Sequence, residues 1–374
     1  MWWIKKKDEL LNIASKTSNC IIYDTFTIEN SIKKLKKIEA IDQLFFAMKA
    51  NFNSEILDII YKSGLGFECV SIGEMKRLFD LIPNIDRKKI IFTPNFAKKS
   101  DYIWALANQV IVIVDSIYPI AKWPDIFENK DIMIRIDPGK GDGHHDHVIT
   151  AGSHSKFGIP LSDINQVLRL CEKYRIKIIG LHTHHGSGIK NISTWIDTAK
   201  LLLELSKKFK DTAVINLGGG IPIKEKLNQR EFDFNKFSQM LIDLKKNFKN
   251  IAMWFEPGRF IVGESGALIT RVTQIKQKDD QKYIGVDVGM NVLIRPILYG
   301  SYHEIVNLTK YDQERKLLVS IVGPICESGD KLGENREFPE TDEEDVILIA
   351  NAGAYVRSMA SEYNLREMPD EIII

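Results

Sequence analysis

The sequence has almost no net charge and no long hydrophobic run. Its 374 residues include 51 lysines and arginines against 50 aspartates and glutamates, a net charge of +1. A near-neutral chain offers no electrostatic basis for binding nucleic acid or an anionic membrane surface. No apolar stretch approaches the length that spans a bilayer, and residues 1–7 lack the apolar core of a secretory signal. We therefore expect a cytoplasmic enzyme.

Cysteine is also scarce. The four cysteines are far apart in the sequence and form no CxxC spacing, which argues against a structural zinc site or a disulfide framework. One cluster has metal-ligand residue types, but adjacent positions rarely all face one ion. We interpret it as a polar active-site loop and expect no metal. The cluster consists of His144, His145, Asp146 and His147.

Eight apolar runs recur along the first two thirds of the chain, most of them separated by amphipathic helical patterns. Runs that are apolar on both faces of a strand and alternate with helices are typical of a parallel sheet. Eight such units in about 210 residues predict an α/β fold, a (β/α)₈ barrel of the TIM type. The runs are 44–48, 66–70, 90–93, 110–114, 132–136, 178–182, 213–217 and 251–255.

After Arg259 the pattern changes to β-branched runs separated by turn residues, with little helical periodicity. This pattern predicts a second, smaller all-β domain. The early apolar run at 20–23 could join it. We expect a barrel domain at 25–257 and a β domain at 258–374, together with 1–24. The β-rich runs are 267–272, 283–286, 317–322 and 345–349.

Polar and ionisable residues follow the predicted barrel strands, at the end where such barrels place their chemistry. The first run leads into Lys49. A desolvated lysine amine is a nucleophile that can form a Schiff base, although a lysine that ends a strand and reaches solvent would give the same stretch. Gly218-Gly219-Gly220 follows the seventh run. Its backbone N–H groups could approach an anion closely, although a plain tight turn also explains three glycines.

Together these strand ends supply four groups that pyridoxal 5'-phosphate requires. Lys49 can bind the aldehyde carbon, and the glycine turn with Gly186 and Ser187 can hold the phosphate. A histidine of the sixth strand end can lie on the ring. Glu256 can pair with the pyridine nitrogen and keep the ring an electron sink. The presence of all four groups favours the Schiff-base interpretation of Lys49.

Six segments resemble the fold-type III pyridoxal-phosphate decarboxylases, and most closely the diaminopimelate decarboxylases. The resemblance extends from about residue 23 to residue 371, and the segments occur in the family's order. It implies an alanine racemase-like fold, a barrel followed by a smaller β domain. Residues 135–159 also resemble the decarboxylase half of bifunctional aspartate kinase–diaminopimelate decarboxylases. The six segments are FFAMKAN, GLHTHHGSG, NLGGG, EPGR, GPICESGD and GAYVRSMASEYN.

The resemblance implies a role for each candidate residue. Lys49 binds the cofactor covalently, His184 stacks on its ring, and Glu256 pairs with its nitrogen. Cys326 protonates the carbanion after carbon dioxide leaves, and in this family it reaches the site from the partner subunit of a homodimer. The implied phosphate ligands are Ser187, Gly219, Gly220, Gly258, Arg259 and Tyr355. The implied ligands of the substrate's distal end are Arg259, Arg295, Tyr299, Glu327 and Tyr355.

The implied reaction is decarboxylation of meso-2,6-diaminopimelate at its D-centre to L-lysine and carbon dioxide, the last step of lysine biosynthesis. A distal ammonium and a distal carboxylate need both signs of charge, and arginines bind carboxylates in bidentate fashion. The segment Arg295 to Tyr299, together with Glu327, therefore favours diaminopimelate over ornithine, although Arg295 could instead form a surface ion pair.

Other functions stay open from the sequence alone. Gly188 stands where many diaminopimelate enzymes carry glutamine. A decarboxylase of carboxynorspermidine, ornithine or arginine is the alternative on the same fold. A racemase and a non-catalytic cofactor-binding homologue are further alternatives. The Cys326-Glu327 pair argues against the racemase, and the full set of cofactor residues argues against the non-catalytic homologue.

Overall fold

The structure, a computed structural model, describes residues 1–139, 141, 150–152, 155–226 and 228–374. The chain divides into two compact units. One unit comprises Ile32–Pro222 and Phe232–Phe260, and the other comprises Met1–Ser31, Ile223–Glu231 and Ile261–Ile374. The domain boundaries expected from the sequence stay a proposal.

The strands are numbered in chain order. They are β1 (Cys20–Tyr23), β2 (Gln43–Ala47), β3 (Gly66–Cys69), β4 (Ile90–Phe92), β5 (Ile111–Val114), β6 (Asp131–Asp137), β7 (Ile159–Pro160), β8 (Lys177–His182), β9 (Val214–Asn216), β10 (Ala252–Phe255), β11 (Gly266–Lys278), β12 (Gln281–Val286), β13 (Ile305–Asn307), β14 (Leu317–Val322), β15 (Lys331–Phe338), β16 (Val346–Ala350) and β17 (Asp370–Ile373).

The α-helices are numbered in the same way. They are α1 (Trp2–Lys5), α2 (Lys7–Ala14), α3 (Thr25–Lys36), α4 (Ser54–Lys62), α5 (Ile72–Leu81), α6 (Lys99–Ala107), α7 (Ile117–Lys122), α8 (Pro124–Phe127), α9 (Ile164–Tyr174), α10 (Ile192–Ser206), α11 (Phe234–Lys245), α12 (Arg259–Val262) and α13 (Arg295–Tyr299).

The first unit contains a closed barrel of eight parallel strands. The strands β2, β3, β4, β5, β6, β8, β9 and β10 pair in that order, and β10 pairs back onto β2. A helix follows each strand before the next one begins. Four of these helices have an N-terminal side chain that accepts a hydrogen bond from a backbone N–H group. Asn53 caps α4, Ser71 caps α5, Asn191 caps α10 and Asp233 caps α11. The predicted barrel is confirmed, and its strands lie within two residues of the predicted runs.

Bulky side chains face small residues in the barrel. Phe45, Ile91, Ile113 and Met133 form a buried cluster against which Trp254 packs. The rings of Phe45 and Trp254 lie 5.0 Å apart between centroids. Glycines leave room for these side chains. A Cβ at Gly66 would lie 2.5 Å from the Phe45 ring, and one at Gly180 would lie 2.6 Å from Met133 Cε. The barrel is therefore a packed core rather than a pore.

The second unit is built on a mixed sheet. Its main path runs β13, β16, β11, β12, β14 and β15, and β1 pairs with both β11 and β17. The early strand β1 therefore joins the β-rich part of the chain, as the sequence suggested. Helices α1 and α2 belong to the same unit. Trp3 and Leu10 from them are buried in the hydrophobic cluster that also contains Ile22, Ile269 and Leu348.

Two negative findings concern only the part of the chain that the structure describes. There, no helix is both long enough and apolar enough to cross a membrane. In the same residues, no three histidine, cysteine, aspartate or glutamate side chains group as a metal site. The cluster at 144–147 lies outside the described residues.

We expect Gly66→Ala to destabilise the barrel, because its Cβ would also lie 2.6 Å from the backbone oxygen of Lys89, which cannot rotate away. Overpacking of this kind typically costs about 1–3 kcal/mol, so thermal unfolding should begin several degrees lower. Gly73→Ala in the first turn of α5 is the matched control, because its nearest neighbour would be 3.7 Å away. An unchanged melting temperature for Gly66→Ala would refute this account of the barrel core.

Candidate active site

Lys49 lies just beyond a barrel strand, on the short 3₁₀ turn Met48–Ala50 that follows β2. Its ammonium pairs with the carboxylate of Glu68 on β3. The side chain of Lys49 is 40 % exposed, whereas that of Glu68 is 2 % exposed. The sequence suggested a buried lysine at the strand end. In the structure the Lys49 amine, on the turn after the strand, is partly exposed and so accessible to a ligand. The buried member of the pair is the Glu68 carboxylate.

Glu68 was missed by the sequence analysis. It is a single acidic residue in the apolar strand Gly66–Cys69, whose four residues are all buried. Burial raises the pKa of the Glu68 carboxyl, and the adjacent Lys49 ammonium opposes that shift without cancelling it. The available signal was an acidic residue within a strand predicted to be buried on both faces.

Glu256 follows β10 and is buried. His182 Nε2 lies 3.1 Å from its Oε2, and the Asn216 Nδ2 group donates to its Oε1 at 2.7 Å. Burial alone would raise the pKa of Glu256, but His182, Lys49 and Asn216 together lower it. The carboxylate is therefore held ionised inside the barrel unit. Neither His182 nor Asn216 was given a role from the sequence, although Asn216 ends β9, which pairs with β10, and His182 ends β8, the next strand along the barrel.

The two adjacent histidines after β8 have different environments. The Gly219 N–H donates to His184 Nδ1 at 3.1 Å. His185 is buried and bonds through Nε2 to the hydroxyl of Thr198 on α10. Burial, followed by the charge of Arg135, lowers the pKa of His184 well below its usual value. His184 is thus a neutral imidazole beside the glycine turn, and His185 is directed to the helix layer.

The glycine turn after β9 brings backbone unusually close to its neighbours. A Cβ at Gly219 would overlap the backbone oxygen of Glu256, and one at Gly220, where φ is +112°, would lie 2.5 Å from the oxygen of Gly186. Only glycine fits there. Ser187 lies nearby, and its hydroxyl accepts a hydrogen bond from Nη2 of the buried Arg259 at 2.9 Å. A glycine turn, a hydroxyl and a buried cation are features that bind a phosphate.

The second unit brings three of the candidate substrate residues together. Arg295 begins α13, is buried, and donates to Ser301 Oγ at 3.1 Å. Its guanidinium carbon lies 5.7 Å from the centroid of the Tyr299 ring and 5.6 Å from that of Tyr355. Tyr355 adopts a left-handed backbone conformation with φ of +60°. Because Arg295 is buried and lies near two aromatic rings, it does not occupy the surface position that a surface ion pair requires.

Cys326 and Glu327 form a separate group in that unit, on an exposed loop between β14 and β15. Asn364 Nδ2 donates to Cys326 Sγ at 3.1 Å. The Tyr363 hydroxyl donates to Glu327 Oε1 at 2.6 Å. Tyr363 and Asn364 belong to a segment that resembles the family, but the sequence alone indicated no role for either residue.

The candidate residues fall into three groups within the two units. The barrel unit holds Lys49, His184, Ser187, Gly219, Gly220, Glu256, Gly258 and Arg259. The other unit holds one group of Arg295, Tyr299 and Tyr355, and another of Cys326 and Glu327. Their roles stay predictions.

The barrel residues fit pyridoxal 5'-phosphate. A reachable amine, a carboxylate held ionised, a neutral imidazole and a glycine turn with a buried cation are the four features that this cofactor requires. The same residues also match a family model described as pyridoxal-dependent decarboxylase, pyridoxal binding domain, over residues 26–263.

Proteins of known sequence and structure agree with that match. A diaminopimelate decarboxylase from Methanothermobacter thermautotrophicus is 34 % identical over 89 % of this chain and 80 % of its own. One from Campylobacter jejuni is 32 % identical over 89 % of this chain and 84 % of its own. The crystal structure of diaminopimelate decarboxylase from Helicobacter pylori, complexed with L-lysine, superposes with a TM-score of 0.89 at 27 % identity, covering 98 % of this chain and 93 % of its own. This chain belongs to the pyridoxal-dependent decarboxylases.

Proposed function

We propose that this protein decarboxylates meso-2,6-diaminopimelate at its D-centre and releases L-lysine and carbon dioxide, the last step of lysine biosynthesis. The reaction class rests on one arrangement, the reachable amine of Lys49 in a unit that also holds Glu256 ionised. Support for the substrate comes from the relatives named diaminopimelate decarboxylase and from the neighbour structure that contains L-lysine.

The barrel residues would hold the cofactor at four places: its aldehyde carbon, its ring nitrogen, the face of its ring and its phosphate. The Lys49 amine would bind its aldehyde carbon, Glu256 would accept the pyridinium N–H, and His184 would lie against the ring. Ser187, Gly219, Gly220, Gly258 and Arg259, with Tyr355, would bind the phosphate. When bound, pyridoxal phosphate supplies an electron sink for the pair released as the carbon–carboxylate bond breaks. An ionised Glu256 keeps the ring nitrogen protonated, which that role requires.

Cys326 would complete the reaction. As carbon dioxide leaves, the substrate carbon that carried the carboxylate retains the bonding electron pair and must take up a proton. We assign that proton to the Cys326 thiol, which acts as a general acid. Replacement of the carboxylate by hydrogen at that carbon gives the amine product, and the thiolate regains a proton from water.

Charge would select the substrate. Arg295 presents a buried guanidinium near Tyr299 and Tyr355, which suits the distal carboxylate. Glu327 suits the distal ammonium. The hydrogen bond from Arg259 to Ser187 supports a role for Arg259 on the phosphate side, and its contact with substrate stays a proposal.

We also propose a cytoplasmic homodimer with shared active sites. Cys326 and Glu327 are exposed, although the proposed chemistry needs both in a site sheltered from bulk water. A partner subunit that covers this loop would provide the shelter. Four free cysteines suit a reducing compartment.

Lys49→Ala should abolish the visible absorbance that a cofactor covalently bound to lysine gives, because no other amine would replace Nζ. In the wild type, borohydride reduction and peptide mass mapping should locate the cofactor on the peptide with residue 49. Lys62→Ala, at an exposed position near the end of α4, is the control and should keep the absorbance. A Lys49→Ala protein that retained it would refute the assignment.

The substrate is tested by carbon dioxide release from meso-diaminopimelate, carboxynorspermidine, ornithine and arginine. We expect diaminopimelate to give the highest kcat/KM. Arg295→Ala should lower that value by about 30-fold or more, because it removes a buried charged hydrogen-bond partner, and should affect ornithine far less. Arg315→Ala, which also removes an arginine near a tyrosine, is the control. A wild-type preference for ornithine would overturn the substrate proposal.

Mixing two inactive variants tests the shared site. Lys49→Ala and Cys326→Ala should each be inactive alone, and their mixture after subunit exchange should recover about a quarter of wild-type activity, because half the dimers are mixed and each has one intact site. Cys326→Ala should still bind cofactor. A mixture as inactive as its components would show that each chain completes its own site.

A further inference from the structure

Two neighbouring residues, Tyr363 and Asn364, contact the two candidate functional side chains of the Cys326–Glu327 loop. Asn364 bonds to Cys326 and Tyr363 bonds to Glu327. The four residues are exposed, and the pairs are 38 and 36 positions apart in sequence. Exposed side chains gain no fixed position from close packing, so hydrogen bonds must hold them.

Asn364 contacts Cys326 at two points. The Cys326 backbone N–H donates to Asn364 Oδ1 at 3.1 Å, and Asn364 Nδ2 donates to Cys326 Sγ at 3.1 Å. The backbone bond fixes the orientation of the carboxamide, because an N–H can only donate and so must face the oxygen. The sulfur therefore receives a hydrogen bond from one side, and its own S–H is directed elsewhere.

The Cys326–Glu327 loop and the segment around Asn364 are both anchored to one short segment after β12. The side chain of Arg366 donates to Asp287 Oδ1 at 2.8 Å, and the N–H of Ser361 donates to the oxygen of Asn291 at 2.8 Å. On the Cys326 side, the Asp330 carboxylate accepts the N–H of Met290 at 2.6 Å. Segment 287–291 therefore sets the spacing between the two loops.

The turn at Asn364 is strained. Asn364 has φ of 57° and ψ of 21°, and Leu365 follows with φ of 54°. Two successive left-handed residues without glycine cost energy. Leu365 is 90 % exposed, so its own burial does not offset that cost. Strain kept at an exposed turn is typical of a functional constraint, and here it directs the Asn364 side chain to Cys326.

We propose that Asn364 is a positioning residue for the proton donor Cys326, and that Tyr363 is the corresponding positioning residue for Glu327. This inference rests on the proposed function. Asn364 holds the thiol so that its S–H faces one side of the reacting carbon, and Tyr363 holds the carboxylate that receives the distal ammonium. Asn364 thus serves the chemical step, and the adjacent Tyr363 serves substrate binding.

The state of Tyr363 suits this role. Its hydrogen bond to Glu327, with a further contribution from Cys326, raises the pKa of Tyr363 to about 12. The phenol keeps its proton at neutral pH and remains a donor to Glu327 throughout the working range.

The experiment compares Asn364→Ala with Asn364→Asp. The exposed Asn335, whose backbone is also left-handed with φ of 52°, provides the control variant Asn335→Ala. In hydrogen exchange monitored by mass spectrometry, the Cys326 amide should exchange about 5- to 10-fold faster in Asn364→Ala. Asn364→Asp keeps the acceptor and should retain the protection. The control should match the wild type.

The second measurement is turnover of meso-diaminopimelate in D₂O. Asn364→Ala should lower kcat by roughly tenfold or more with little change in KM, since a misplaced general acid slows proton delivery. Its product should be a mixture of both deuterium configurations at the carbon that lost the carboxylate, whereas the wild-type product should have a single configuration there. Asn364→Asp lacks the donor to the sulfur and should show the same scrambling. Tyr363→Phe should raise KM and leave the deuterium configuration intact.

The outcomes separate the two proposals. Faster exchange in Asn364→Ala with unchanged kcat and a single deuterium configuration would overturn the positioning role. Unchanged exchange would overturn the contact itself. If the wild type released no carbon dioxide from any diamino acid, the proposed function would fail, and the exchange experiment would still test the contact between Asn364 and Cys326.

Discussion

The candidate site depends on keeping one buried carboxylate ionised. Moving a carboxylate out of water is costly unless charged and hydrogen-bonding groups surround it. Glu256 has both, since His182 and Asn216 each bond to one of its oxygens. Its backbone belongs to the same arrangement, because the Glu256 N–H donates to the oxygen of Gly218 at 2.7 Å. The ionised group and the glycine turn therefore lie at the ends of two paired strands, β10 and β9, and are joined by this hydrogen bond.

Glu68 and Glu256 are two buried carboxylates with opposite behaviour. The pKa of Glu68 is raised and that of Glu256 is lowered, and Lys49 opposes burial at both. The opposite pKa shifts come from His182 and Asn216, which form hydrogen bonds with Glu256 and not with Glu68. Pairs of carboxyls driven apart in this way commonly take different chemical roles. Glu256 suits a permanent anion opposite a ring nitrogen, and Glu68 suits a group that holds the Lys49 ammonium and can accept its proton.

Sequence patterns predicted the barrel well because parallel strands buried on both faces leave continuous apolar runs. They could not show that Lys49 lies on a turn past its strand, since Met48 is as apolar and buried as the strand residues before it. The sequence patterns also did not identify Glu68 in β3 as a candidate site residue, because its role depends on a contact with Lys49 that only the structure shows. β11 extends to Lys278, well past the predicted end at residue 272, and the pattern missed this stretch because its last six residues are exposed and mostly polar. Pairing with β12, rather than burial, keeps that stretch in the sheet.

The hardest feature to predict was how exposed functional groups keep their positions. In the barrel unit, burial and strand pairing restrict the positions that the side chains of Glu256 and His184 can adopt. Once their strand ends are identified, their approximate placement follows. Cys326 and Glu327 have no such packing. Their placement depends on Asn364 and Tyr363, on Asp330, and on the segment after β12, contacts between residues far apart in sequence. The strained conformation of Asn364 and Leu365 is consistent with this basis, because it is the conformation in which the carboxamide contacts both the backbone and the thiol of Cys326.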